Sequence, residues 1–179
     1  MSIMANRLCD DRRTPIEALD EPSGAGVFES GKTMLAWHYT TGRKLRSITA
    51  SGMLVPGRIG NESTDEPILW FSRNQHWEQT AGKACHETGQ PVRRLTMRET
   101  YAEGEGLVRY GCDIKRLYAG EALRRKACIT HEVWAALHAA GKLQQAYPAA
   151  WCGSVDSMPI DSLVVHVMSE RFKWERFEA

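Results

Sequence analysis

Short apolar runs preceded by polar turn segments give the clearest structural signal in the chain. Residues 34–40 (MLAWHYT) and 68–72 (ILWFS) are rich in aromatic side chains, and each follows a polar stretch that contains Gly. Runs of this length and composition are typical of buried strands. Further short runs predict strands or extended segments at 54–56, 92–97, 106–112, 150–155 and 163–168.

Helical spacing lies between the first of these runs. Leu45 and Ile48 fit one face of a helix over 43–51, and Gly52 follows as the expected C-terminal stop. The segment 75–87 is also predicted to be helical. The first half of the chain is therefore expected to mix short helices with strands.

The strongest helical stretch is 117–143, which is rich in Ala, Leu, Lys and Arg. It is predicted to divide near Thr130, whose hydroxyl would cap a second helix with Val133, Leu137 and Ala140 facing inward. Strands and a few helices thus follow one another without regular alternation. This order favours an α+β fold built on about five to seven short strands.

Length and charge limit the organisation and the partners. A chain of 179 residues is the usual size of one domain, and we expect a loosely held arm over 1–32 followed by a single α+β domain over 33–179. A net charge of +1 leaves no large uniform field for nucleic acid or an anionic membrane. No run of about 18 apolar residues occurs, so we expect a soluble, cytoplasmic protein that makes no membrane contact.

Two other kinds of site are considered and set aside. Residues 26–33 (GVFESGKT) match the phosphate-loop pattern, but an aromatic strand follows them where a helix is needed, so we expect a chance match. The five cysteines are odd in number and form no CxxC pair, which favours reduced thiols. No recognised ligand spacing is present, and no metal is expected.

The order of three short motifs is more informative than any of them alone. His38-Tyr39-Thr40 lies on the first strand, Ser-Gly-Met-Leu ends the next helix, and Trp70-Phe71-Ser72 lies on the following strand. This order resembles the NAD-binding half of the diphtheria-toxin and poly(ADP-ribose)-polymerase class of ADP-ribosyltransferases. The resemblance covers about residues 34–82 and 150–168. It implies two small packed, mainly antiparallel sheets with flanking helices and a cleft that takes NAD as substrate.

The resemblance also implies roles for individual residues. His38 would hydrogen-bond the adenosine ribose, Thr40 would support the nicotinamide side, and Trp77 is the nearest candidate to stack on nicotinamide. Arginine side chains would hold the diphosphate, with Arg109 among the candidates beside Arg43, Arg58 and Arg73. The NAD-binding set implied in this way is His38, Tyr39, Thr40, Phe71, Ser72, Trp77 and Arg109.

A late carboxylate completes the implied site. Asp156 follows Trp-Cys-Gly-Ser-Val and precedes a Pro-led strand, which is the place where the family carries its acid, although the family residue is usually Glu. Glu132 is the alternative. Breaking the nicotinamide–ribose bond builds positive charge on the ribose, and a nearby carboxylate would stabilise that charge. Asp156 and His38 are therefore the expected catalytic residues.

The expected activity is NAD-dependent transfer of ADP-ribose to a macromolecular acceptor, either protein or nucleic acid. Three alternatives stay open. NAD hydrolysis would use the same site. An RNA 2′-phosphotransferase of the same architecture would need basic residues opposite the NAD cleft, and the balanced charge argues against it. A module that binds nucleotide or protein without turnover would explain an Asp in place of the usual Glu.

Overall fold

The computed structural model describes residues 33–57, 65–85 and 92–177. The arm predicted over 1–32, and with it nearly all of the phosphate-loop match, lies outside these residues. The division into an arm and one domain therefore stays a prediction.

The described residues form eleven strands and four α-helices. The strands are β1 Leu35–Thr41, β2 Met53–Leu54, β3 Leu69–Ser72, β4 Ala84–Cys85, β5 Arg93–Arg94, β6 Leu107–Asp113, β7 Tyr118–Ala119, β8 Trp151–Ser154, β9 Met158–Pro159, β10 Val164–Met168 and β11 Trp174–Arg176. The helices are α1 Gly42–Ser51, α2 Met97–Glu103, α3 Gly120–Lys126 and α4 His131–Leu143. This content confirms the α+β class.

Seven strands form one sheet in the order β11-β10-β6-β1-β3-β8-β7, and every neighbouring pair is antiparallel. Two short pairs, β2 with β9 and β4 with β5, stand apart from it. The expectation of two small packed sheets is therefore corrected. The reason is that β1 pairs with β6 on one side and with β3 on the other, which joins both halves into a single sheet.

Most predicted elements are confirmed within a few residues. The helix over 43–51 begins one residue earlier, and Gly52 ends it in the left-handed conformation (φ +66°) that glycine adopts without strain. Thr130 caps α4 by accepting a hydrogen bond from the Val133 amide at 3.2 Å. Val133 itself is 43 % exposed, so its expected inward position is wrong.

One predicted helix is absent, and one helix was not predicted. The described part of 75–87 forms a 3₁₀ turn at Gln79–Ala81 and then β4. Conversely, α2 occupies a stretch read as strand and loop, because Thr96 and Glu99 form a reciprocal capping box. The strand predicted over 92–97 is reduced to Arg93–Arg94.

Candidate functional site

The site begins where β1 and β3 separate. β1 pairs with β6 along its whole length, from Leu35 to Thr41, but it pairs with β3 only at Trp37 opposite Ser72. Beyond that pair the His38 ring lies between the strands, with Nδ1 2.9 Å from the Trp70 carbonyl oxygen. A side chain thus replaces the next backbone hydrogen bond, and the sheet has a gap at this point.

The tautomer of His38 follows from that contact. A carbonyl oxygen only accepts, so Nδ1 carries the proton and Nε2 keeps its lone pair. Burial lowers the pKa of His38, and the nearby positive charge of Lys83 lowers it further, against the opposing effect of the Trp70 carbonyl. His38 is therefore a neutral hydrogen-bond acceptor at neutral pH.

A buried carboxylate lies beside Ser72 at the end of β3. Ser72 Oγ donates to Glu78 Oε2 at 2.7 Å and accepts from the Asn74 amide at 3.1 Å. Thr80 donates to Glu78 Oε1 through its hydroxyl at 3.0 Å and through its backbone amide at 3.3 Å. Glu78 is only 6 % exposed. Both of its oxygens are fixed in direction by neighbouring donors.

The segment that carries Glu78 is anchored to the sheet by polar contacts. Tyr39 Oη donates to the Asn74 carbonyl at 2.7 Å, and Trp37 Nε1 donates to the Gln75 side chain at 2.9 Å. On the far side, an Arg94 Nη donates to the carbonyls of Gly82 at 2.8 Å and Thr80 at 3.2 Å. These bonds hold residues 74–82 in an irregular path, which accounts for the absence of the expected helix there.

A cavity of about 410 Å³ lies against the gap and the Glu78 carboxylate. That volume is within the range of about 300–1,000 Å³ usual for small-molecule sites. Its walls come from β1, β3, β8, the turn after β3, and the C-terminal half of α4. The aromatic members of the lining are Trp37, Tyr39, Trp70, Phe71 and Trp151.

Helix α4 packs closely on this aromatic wall. A Cβ at Gly141 would overlap the Trp151 indole, so only glycine allows the approach. Trp134 stacks on Trp70 with ring centroids 6.2 Å apart. Gln144 Oε1 and Trp151 Nε1, both on lining residues, are buried and have no hydrogen-bond partner among the residues described. One acceptor and one donor therefore remain unsatisfied in this wall.

Positive charge reaches the cavity from Arg94, and the charge of Lys83 acts on His38. Arg94 is a lining residue. The pKa of Lys83 is lowered by burial and by the positive charges of Lys44 and Arg94. Three cations from α1, the start of β4 and β5 therefore lie within electrostatic range of one another.

The structure brings together four of the eight predicted site residues, which are the seven of the NAD-binding set and Asp156. His38, Tyr39, Phe71 and Ser72 line the cavity. The remaining predicted residues, Thr40, Trp77, Arg109 and Asp156, are not among those that line it.

Three of those four residues, Thr40, Trp77 and Arg109, are buried. Thr40 is 8 % exposed and does not line the cavity, although strand alternation places it on the same face of β1 as His38. Trp77 is 7 % exposed and packs edge-on against the Tyr39 ring, with centroids 5.3 Å apart. The Trp77 side chain is therefore occupied by core contacts.

Arg109 and the candidate acids lie elsewhere. The Arg109 guanidinium stacks between the rings of Trp37 and Trp174, at 3.7 and 4.5 Å from their centroids. Asp156 is exposed in the turn after β8, where its amide donates to Ser154 Oγ at 3.0 Å. Glu132 is exposed in the first turn of α4.

Glu78 is the acidic residue of the cavity lining, and the sequence did not predict it. It lies in a segment predicted to be helical, where a Glu beside Trp77 reads as an ordinary surface charge. The available signal was Thr80 two residues later, since an acidic side chain two residues before a hydroxyl is compatible with a cap. Capping alone does not predict burial.

Comparisons and searches add the following findings. Among the described residues, no group of three or more His, Cys, Asp or Glu side chains is placed to hold a metal ion. None of the described helices has the length and apolar content needed to cross a membrane. No family model matches the chain, and neither the curated proteins nor the solved structures give a match.

Proposed function

We propose that the protein binds NAD in the cavity at the β1–β3 gap, breaks the nicotinamide–ribose bond and transfers ADP-ribose to a macromolecular acceptor. One observation carries the proposal: His38 and Ser72, from two separate motifs of the ADP-ribosyltransferase resemblance, line one cavity together with a buried carboxylate. Motif residues that are far apart in sequence are thus side by side in space.

The chemistry of the cavity supports this substrate. NAD offers a flat, positively charged nicotinamide ring, which aromatic walls and a carboxylate favour. It also offers ribose hydroxyls, for which the lone pair of His38 Nε2 is a suitable acceptor. Arg94, which lines the cavity, and Lys83, whose charge acts on His38, suit the negatively charged diphosphate.

Binding of NAD and release of nicotinamide test the proposal. The protein is titrated with NAD by calorimetry, and free nicotinamide is then measured by chromatography in the presence of labelled NAD and candidate acceptors. His38→Ala should weaken NAD binding by about 1–3 kcal/mol, because a buried polar partner loses its hydrogen bond. His131→Ala, at an exposed histidine of α4, is the matched control and should bind like the parent.

The destination of the label separates the related activities. Label on protein or nucleic acid identifies transfer, and label only in free ADP-ribose identifies NAD hydrolysis. NAD binding without nicotinamide release would identify a binding module. No binding of NAD by the parent would overturn the proposal.

A further inference from the structure

We propose that Glu78 is the catalytic carboxylate of the cavity, which receives the cationic nicotinamide ring and stabilises the positive charge on the ribose. The inference rests on the proposed function for the identity of the substrate. Its physical basis is independent of that identity, because the burial, the donors and the open side of Glu78 are features of the protein alone.

Glu78 has no cationic partner within the part of the protein that the structure describes. Buried carboxylates are ordinarily paired with Lys or Arg, since removing a charge from water is costly. Glu78 is 6 % exposed, yet among the residues described no Lys or Arg side chain forms an ion pair with it. Its hydrogen bonds come from neutral groups, the hydroxyls of Ser72 and Thr80 and one amide. A cationic ligand would supply the missing charge.

Neighbouring hydrogen-bond donors fix the orientation of both carboxylate oxygens of Glu78. Because the Asn74 amide donates to Ser72 Oγ, the hydroxyl proton of Ser72 is free to point at Glu78 Oε2. Thr80 fixes the other oxygen. The carboxylate is thus held before any ligand arrives, and preorganised charge is the form of electrostatic stabilisation that enzymes use most effectively.

A role as the cap of the 3₁₀ turn does not by itself explain the position of Glu78 at the cavity. Glu78 does accept from the Thr80 amide and so caps the short 3₁₀ turn. Capping side chains ordinarily lie at the surface, whereas this carboxylate lines a cavity with aromatic walls. A cap also needs a single oxygen, and the second oxygen of Glu78 is held separately by Ser72.

The reaction step is a displacement at the ribose. The bond between ribose C1′ and the nicotinamide nitrogen breaks, and its electron pair leaves with the nitrogen as neutral nicotinamide. The positive charge passes to C1′ and the ring oxygen of the ribose, where the Glu78 carboxylate stabilises it. A lone pair of the acceptor or of water then bonds to C1′, and the proton of that nucleophile is released to solvent.

The decisive experiment compares two probes that share one ring. 1-Methylnicotinamide is a cation and nicotinamide is neutral, and the quenching of tryptophan fluorescence reports the binding of each. The parent should bind the cation about tenfold more tightly than the neutral amide. Glu78→Gln should lose this preference, and Glu78→Asp should keep part of it. Glu170→Gln, at an exposed turn residue, should behave like the parent.

Nicotinamide release from NAD is measured on the same proteins. Glu78→Gln should lower kcat about 10²-fold, the usual effect of removing one electrostatic stabiliser, while NAD affinity falls no more than that of the cationic probe. The single carbonyl oxygen of Gln can still accept from Thr80, and its NH2 group can donate to the Ser72 hydroxyl oxygen in place of the lost bond. Melting curves check that the variant is folded.

Failures of the two proposals look different. If the parent prefers the cation and Glu78→Gln does not, but the parent releases no nicotinamide, Glu78 stands as a cation site and NAD cleavage is overturned. If the parent shows no preference, or Glu78→Gln keeps it, the assignment of Glu78 is overturned whether or not NAD is cleaved. Turnover by Glu78→Gln at the parent rate overturns its catalytic role.

Discussion

Glu78 and Arg109 carry opposite charges and are buried to the same degree, each 6 % exposed, but their surroundings differ. Arg109 has protein on both faces of its guanidinium, from Trp37 and Trp174. Its Nη groups donate to the Gln75 carbonyl at 2.6 Å and to His166 Nδ1 at 2.9 Å. Glu78 has donors on both oxygens and lines a cavity.

The difference shows that burial of a charge does not by itself identify a functional site. Two indoles and two hydrogen-bond acceptors of the protein contact the Arg109 guanidinium, although its buried Nε has no hydrogen-bond partner among the described residues. Through Gln75, Arg109 holds the segment that leads to Glu78. Its charge is used to organise the interior. The charge of Glu78 lacks a cationic partner among the described residues and adjoins space that a ligand can fill. The comparison predicts that the first residue acts on stability and the second on ligand chemistry.

The largest effect on stability is expected at Arg109. Arg109→Met keeps much of the side-chain volume but loses both stacking interactions with the indoles and the bonds to Gln75 and His166. The free energy of unfolding should fall by about 2–4 kcal/mol, since the cost of burying the charge offsets part of these contacts. Urea denaturation of the variant and the parent measures this change in the free energy of unfolding.

Arg171→Met provides the matched control, because this arginine is exposed in a turn. It should change the free energy of unfolding by less than about 0.5 kcal/mol. Equal losses in the two variants would remove the distinction between the enclosed charge of Arg109 and an ordinary surface charge.

A smaller effect on stability is expected from acid. The pKa values of His38, His138 and His166 are lowered, in each case mainly by burial. The unfolded chain therefore binds more protons than the folded protein once the pH falls below about 6.5. The free energy of unfolding should be constant above that pH and should decline as the pH falls toward the folded pKa values.

His166 is the test residue for this pH effect. Its Nδ1 accepts from Arg109, which only donates, so protonation breaks the bond and places two cations together. His166→Asn should supply an amide oxygen as acceptor without titrating, and the decline of stability between pH 7 and 5 should become shallower. His131→Asn, at an exposed histidine, should leave the slope as in the parent. An unchanged slope in His166→Asn would contradict this account.

Local pattern was sufficient to predict much of the fold. The strands β1, β3 and β10 lie within one residue of their predicted bounds, because apolar runs between turn residues are short-range signals. Thr130 was identified as a cap on the same kind of evidence. The order of strands in the sheet was not predictable, since pairing of β1 with both β3 and β6 depends on contacts between distant parts of the chain.

The residues of the candidate site likewise include some that the sequence predicts and some that it does not. His38 and Ser72 were predictable because each lies on a strand with a short motif. Glu78 was not, because the path of its segment is fixed by Tyr39 and Arg109, which lie about 30–40 positions away in sequence. Arg109 itself was assigned to the diphosphate because a sequence does not show that two indoles enclose its guanidinium.

The smallest effect is expected at Asp156, the acid to which the resemblance points. Asp156 is exposed after β8 and does not line the cavity. The charge of an exposed carboxylate outside the cavity is strongly screened by water and salt. Asp156→Asn should therefore change nicotinamide release less than about threefold, against about 10²-fold for Glu78→Gln. Chromatographic assay of both variants beside the parent makes the comparison, and loss of release in Asp156→Asn with normal release in Glu78→Gln would return the catalytic role to Asp156.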